Sequence, residues 1–395
     1  MPFASSQIRS DFPALAAGLA HFDSPGGTQT PAPVIEAISS ALAGPLANRG
    51  HGNAGQRNAE AVVVQARQAV ADLVGGRPEG VVFGRSATQL TFDFSRTIAA
   101  SWSPGDEVVV SRLDHDANIR PWLVAAEARG AVVRWVEFDP TTAELDPAQL
   151  AGVLSDRTRL VAVTAASNLL GTMPDVAAIA ELVHAAGAQL WVDGVHYSAH
   201  ALVDLGALGC DYFVCSPYKF LGPHHGVLVA EPSLLESLHP DKLLPSTDAV
   251  PERFELGTLP YEVLAGTTAA IDYLAGLVPG SGSRRDRLGA SLAAIEQTEQ
   301  RLVERIERGL ADLGATRYSK ARHRTSTLLF DLPGIAAAEV ADRLAAVGVS
   351  APAGHFYALE ASRHLGLGDR GAVRVGLAPY SDDGDVDRLL SGLAG

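Results

Sequence analysis

The sequence predicts an α/β protein built on a mostly parallel sheet, followed by a smaller α+β unit. Three observations lead there. Short β-branched runs recur through the first two-thirds of the 395 residues, with room for a helix between several of them. A Gly/Ser-rich stretch, Pro279-Gly280-Ser281-Gly282-Ser283, then interrupts the pattern. Beyond it, amphipathic helical runs alternate with strand-like ones.

Residues 81–83, 108–110, 132–136, 160–164, 190–193, 212–215 and 227–230 read as seven buried strands. Between the fourth and fifth, Val176, Ile179, Ala180 and Val183 share one face of a helix over 174–186. After the linker, Leu292, Ile295, Leu302, Ile306, Leu310 and Leu313 mark a long amphipathic helix. A strand over 327–330, a helix over 337–347 and a strand over 372–377 complete the second unit. The expected organisation is a large domain over 21–280, a small one over 284–395, and a segment 1–20 that packs with the small domain.

Composition narrows the function. With 31 Lys+Arg against 45 Asp+Glu the net charge is −14, which argues against a nucleic-acid groove or an anionic membrane surface. No run approaches the ~20 apolar residues of a membrane span, and the first ten residues lack a basic-then-apolar export signal. The two cysteines, Cys210 and Cys215, can form neither a disulfide framework nor a four-ligand metal site; no metal is expected, and a reducing cytoplasm fits. Small-molecule chemistry remains. Only Lys219, Lys242 and Lys320 are lysines, and arginine does not lose its proton, so amine chemistry has three candidates.

Residues 190–226 hold the densest set of reactive groups. One strand ends at Asp193, the next leads through Ser216, Pro217 and Tyr218 to Lys219, and ligands of open α/β sheets bind at such carboxyl ends. A lysine can form a Schiff base with pyridoxal phosphate while a carboxylate keeps the pyridine nitrogen protonated. The alternative is a turn-capping Asp and a solvated Lys. Gly84-Arg85-Ser86-Ala87-Thr88, between a strand and a helix, suits either an anion cradle or an ordinary helix cap. His115, after the second strand, can lie on a cofactor ring or sit on the surface between Asp114 and Asp116. Asn168 offers an amide to a phenolate or makes a turn. Arg374, inside an apolar strand, calls for a substrate carboxylate or an internal acid.

In order, these segments resemble the class V aminotransferase and cysteine desulfurase family, closest to the desulfurase-like branch, over nearly the whole chain. The resemblance implies the type I fold of pyridoxal-phosphate enzymes, with a seven-stranded sheet, and pyridoxal 5'-phosphate as cofactor. It maps phosphate binding to Ala87, Thr88, Ser216 and Tyr218, ring stacking to His115, and phenolate contacts to Asn168 and His196. Asp193 pairs with the ring nitrogen, and Lys219 carries the Schiff base. The stretch Phe254-Glu255-Leu256-Gly257-Thr258 matches a motif whose threonine reaches the neighbouring subunit's phosphate, which implies a homodimer with shared active sites. Arg374 matches the arginine that binds the substrate α-carboxylate.

Three departures stand out. His196 stands where glutamine or histidine is usual, and Tyr218 replaces a histidine before the lysine. Gly354-His355-Phe356-Tyr357 aligns with the loop whose cysteine accepts sulfur in desulfurases, and no cysteine is there. The expected function is therefore a pyridoxal-phosphate reaction on a free amino acid through an external aldimine, ending in β-elimination at a C–S or related bond. Aminotransfer or epimerisation is the alternative within the fold, and a catalytically inactive binding protein a second. A nucleotide-binding protein would need a glycine fingerprint that residues 84–88 lack. Substrate choice is expected from residues 21–30, 48–58 and 354–357, with His355 and Tyr357 contacting substrate.

Overall fold

The computed structural model describes residues 5–395. All seven expected strands form one sheet, in the order Val81–Gly84, Gly226–Ala230, Tyr212–Cys215, Gln189–Asp193, Thr158–Thr164, Glu107–Ser111, Val132–Val136. Only Gly226–Ala230 runs antiparallel to its neighbours. The other six point the same way, so their carboxyl ends share one edge.

Strand periodicity divides the core. Val109, Leu190 and Val192 pack on one face with the helices Ala54–Val74, Val176–Ala185 and Tyr261–Ala275, whereas Val108, Val110 and Trp191 pack on the other with Ala87–Ala99 and Arg120–Arg129. The strand 132–136 departs from the buried strand expected of it. It forms the sheet edge, with Val132 40% exposed and only Val136 buried. β-Branched content reports a fit to a pleated, half-buried surface, not how many neighbours a strand has.

A second, antiparallel sheet has the order Ala353–Gly354, Ala372–Gly376, Thr327–Asp331, Thr316–Arg317. Ala20–His21 pairs in parallel with Val349–Ser350 at its side. The helix Arg284–Asp312 starts at a capping box in which Ser283 and Asp286 exchange hydrogen bonds, just after the Gly/Ser stretch. Its buried stripe spans both halves: Leu288, Leu292 and Ile295 enter the core of the large sheet, and Leu302, Ile306 and Leu310 the core of the small one. Among the described residues no helix is long and apolar enough to cross a membrane.

Candidate active site

The carboxyl edge of the large sheet and the small sheet enclose a cavity of about 660 Å³. Strand ends build its floor. Asp193 closes one strand, Ser216 follows the next, Asn168 and His115 follow two more, and the helix holding Ala87 and Thr88 begins just past the first.

Lys219 ends the short turn Pro217–Lys219 and is only 6% exposed. Its Nζ donates to Gly26 O at 3.1 Å and to Pro25 O. Burial, then the nearby Arg374 charge, push its amine down to about 7, against the pull of Asp23 and Asp193. That is no solvated lysine. Lys242, by contrast, bonds Ser246 O at 2.9 Å and pairs with the exposed Asp248, and Lys320 is exposed.

Asp193 takes both roles left open for it. Its Oδ1 accepts from Val195 N–H at 2.9 Å, and the residue lines the cavity, where burial pushes its carboxyl up to about 6. His115 is no surface residue. Its Nδ1 accepts from Ala117 N–H at 3.0 Å, which leaves the neutral ring's proton on Nε2. Burial, then Lys219 and Arg374, push it down to about 4.

The turn at 84–88 is likewise both cap and cradle. Ser86 Oγ accepts from Gln89 N–H at 3.0 Å and Ser86 O takes Leu90 N–H, leaving the first N–H groups of the helix, those of Ala87 and Thr88, at the cavity wall. Gly226 passes directly behind. A Cβ there would lie 2.2 Å from the Ser86 carbonyl carbon, so only glycine lets the strand approach.

The donor set fits pyridoxal phosphate. His196 is buried, with Nε2 at 3.0 and 2.9 Å from the Thr325 and Thr327 hydroxyls, and its Nδ1 has no protein partner. A buried polar atom left so costs about 1–3 kcal/mol, a penalty a ligand group can remove. Asn168 is partly committed: its Nδ2 donates one N–H to Phe356 O at 2.9 Å, which leaves the second N–H for a ligand, and its Oδ1 has no protein partner. Tyr218 lines the cavity and stacks on His224, with ring centroids 4.7 Å apart.

The roof is the loop 354–357 with Arg374. Arg374 is 1% exposed and has found the internal acid: Nη2 donates to Asp23 Oδ1 at 2.6 Å and Nη1 to Asn168 O at 3.0 Å. The Phe356 ring lies 3.7 Å from its guanidinium carbon. Tyr357 stacks on His115 at 5.4 Å, and its carbonyl accepts from Asp116 N–H at 2.8 Å. Phe356 and Tyr357 have φ of 50° and 61°, a strained pair for residues with side chains.

Two expected residues stand apart. His355 does not line the cavity and accepts from Tyr357 N–H at 3.2 Å through Nδ1, while Thr258 lies on an exposed turn after Leu256 and Gly257. Residues 48–58 are largely exposed and outside the cavity; of 21–30, Asp23, Pro25 and Gly26 line it. Sequence reasoning missed Phe92 and Arg120 on the wall, Asp23 as the partner of Arg374, and Phe356 as its cover. Cys215 is buried and Cys210 half-buried, neither lines the cavity, and desolvation pushes both thiols up to about 12.

The family profile for aminotransferase class V matches residues 20–389. An uncharacterized protein of Mycobacterium tuberculosis is 35% identical, covering 100% of this chain and 99% of its own. A cysteine desulfurase of Dickeya dadantii is 32% identical over 98% of this chain and 95% of its own. The crystal structure of the cysteine desulfurase CsdA of Escherichia coli, in an S-sulfonic acid form, superposes with a TM-score of 0.87 at 26% identity, covering 99% and 98% of the two chains. With this cavity and these relatives, the chain belongs to the class V aminotransferase family, as a cysteine desulfurase-like, pyridoxal-phosphate-dependent enzyme.

Proposed function

We propose that the protein is a β-lyase acting on a free amino acid that carries sulfur or a similar leaving group at Cβ. One observation carries this reading: no thiol stands where sulfur would be handed over. Phe356 and Tyr357 occupy the loop over the cavity, Cys215 is buried and Cys210 half-buried outside the cavity, and both thiols are held protonated.

Pyridoxal phosphate, when bound, supplies a ring that accepts the electron pair released at the substrate Cα. The Ala87 and Thr88 N–H groups, the Thr88 and Ser216 hydroxyls and Tyr218 hold its phosphate. Asp193 would keep a proton on the ring nitrogen, and His115 and His196 Nδ1 would hold the ring and its phenolic oxygen. Lys219 would anchor the group covalently. Released by the incoming substrate amine, its own amine, pushed down to about 7, would be matched to take the α-proton near neutral pH. Arg374 exchanges Asp23 for the substrate carboxylate and so fixes the Cα–H bond against the ring. Tyr357, at the cavity edge, stands where a proton can reach the departing group, and His355 closes the loop behind it.

The exposed turn at Leu256, Gly257 and Thr258 supports a homodimer in which Thr258 reaches a second copy's phosphate. The acidic charge and the two free thiols support a cytoplasmic enzyme.

The test is product analysis after incubating the cofactor-loaded protein with L-cysteine. Pyruvate, ammonia and sulfide, formed with one water consumed, are expected. Alanine with a persulfide on Cys210 or Cys215 would overturn the reading.

A further inference from the structure

The buried stripe of the helix Arg284–Asp312 runs Leu288, Leu292, Ile295, Leu302, Ile306, Leu310, and a charge stands in its middle. Glu299 is 4% exposed, at the junction of the two cores. Such a carboxylate is costly to bury unless its position serves something. Its Oε2 lies 3.0 Å from His200 Nδ1, which fixes the proton of His200 on Nδ1, and its Oε1 has no protein partner. The His200 ring in turn meets the His196 ring edge to face, with centroids 4.7 Å apart at 66°. His196 is gripped from its far side by Thr325 and Thr327 and lines the cofactor cavity. Glu299 and His200 also border a space for about one water, whose wall includes Lys219.

We propose that Glu299 is a positioning residue for the cofactor site. Acting through His200, it sets the orientation and tautomer of His196, so that the Nδ1 of His196 is the atom turned to the ligand with its proton. With Nδ1 protonated, Nε2 accepts from a threonine hydroxyl, and the ring stays neutral. An ion pair that merely ties the two halves together would leave His196 indifferent to the charge on Glu299. The charged groups that bear on His196 are His200, Lys219 and Arg374, and only the first touches Glu299. The inference rests on the cofactor site and holds whichever substrate bond is broken.

Glu299→Gln keeps the shape and an acceptor for His200 while removing the charge. In the cofactor-free protein, ring ¹⁵N shifts report which nitrogen of His196 is protonated. In the loaded protein, the absorbance of the bound cofactor is titrated with pH. The substitution is expected to move the His196 ¹⁵N signals and to displace the absorbance midpoint by roughly half a pH unit or more. Unchanged ¹⁵N signals and midpoint, with only a lower melting temperature, would overturn the proposal. Should that variant not fold, His200→Gln, which keeps a donor to Glu299 but removes the ring, is read in the same way: movement of both signals supports the proposal, and wild-type values overturn it.

Discussion

The floor and the roof of the cavity are built on different principles. The floor places Asp193, Ser216, His115 and Asn168 at or just past the ends of parallel strands whose interiors are buried but for Arg159, so their backbone positions are set by sheet register. The roof is a loop with two side-chain-bearing residues in the left-handed region, held by a ring on a guanidinium, a stacked tyrosine and hydrogen bonds to the floor. Rigid, buried groups suit chemistry common to all substrates of a cofactor. A strained loop can be exchanged without disturbing the sheet. In the proposed reading, cofactor chemistry lies below and reaction outcome above.

Breaking the floor is expected to have the largest effect. Lys219→Ala should abolish covalent cofactor attachment and lower turnover by about 10³-fold or more, because anchor and base are lost together. Asp193→Asn should retain bound cofactor yet lose roughly 10²–10³-fold, since an amide cannot hold a positive ring nitrogen. Steady-state kinetics with ultraviolet-visible spectra check both. If Asp193→Asn kept wild-type turnover, the floor would not be the seat of the chemistry.

Breaking the roof should act on binding. Phe356→Ala removes the face covering Arg374, and a cation–π contact of about 1–2 kcal/mol corresponds to a rise in KM of roughly 5- to 30-fold with kcat less affected. An equal loss in kcat alone would assign Phe356 to the floor's work. Tyr357→Phe keeps the stack on His115 and removes only the hydroxyl, so kcat should fall several-fold; an unchanged kcat would leave Tyr357 no part in protonating the departing group.

Titration sharpens the comparison. Because Lys219 is pushed down to about 7, covalent capture of pyridoxal phosphate by the cofactor-free protein should speed up as pH rises through about 7 and then level off. An ordinary lysine would keep gaining to about 10.4. Asp114 bears on stability instead of turnover. Burial holds its carboxyl up to about 8, with Oδ1 accepting from Asn118 at 2.6 Å and Oδ2 unpartnered. The folded state therefore binds a proton that the unfolded state releases between about pH 4 and 8, and stability from this group falls as pH rises. Asp114→Asn should gain on the wild type across that window in chemical denaturation; a constant difference would contradict it.

The floor was legible in the sequence because strand ends are local facts. A β-branched run, then Asp193 or Lys219, names its own position on a sheet. The roof was not. Asp23 and Arg374 lie 351 residues apart, and a bridge between Asp23 and Gly376, two residues along the Arg374 strand, helps bring them within 2.6 Å. The contact of Phe356 with Arg374 depends on two unusual backbone angles that its residue type disfavours. Glu299 left a trace, as a charge interrupting a stripe of apolar residues spaced three and four apart, but a stripe does not say what the charge faces. The edge position of 132–136 was hidden for the same reason: strand preference is local and neighbours are not.

The most direct test of the division is to reduce the cofactor-loaded protein with borohydride and map the labelled peptide. The cavity floor as described predicts the label on Lys219 alone among the three lysines, lost in Lys219→Ala and retained in Phe356→Ala. Label on Lys242 or Lys320, or its loss when only the roof is changed, would contradict it.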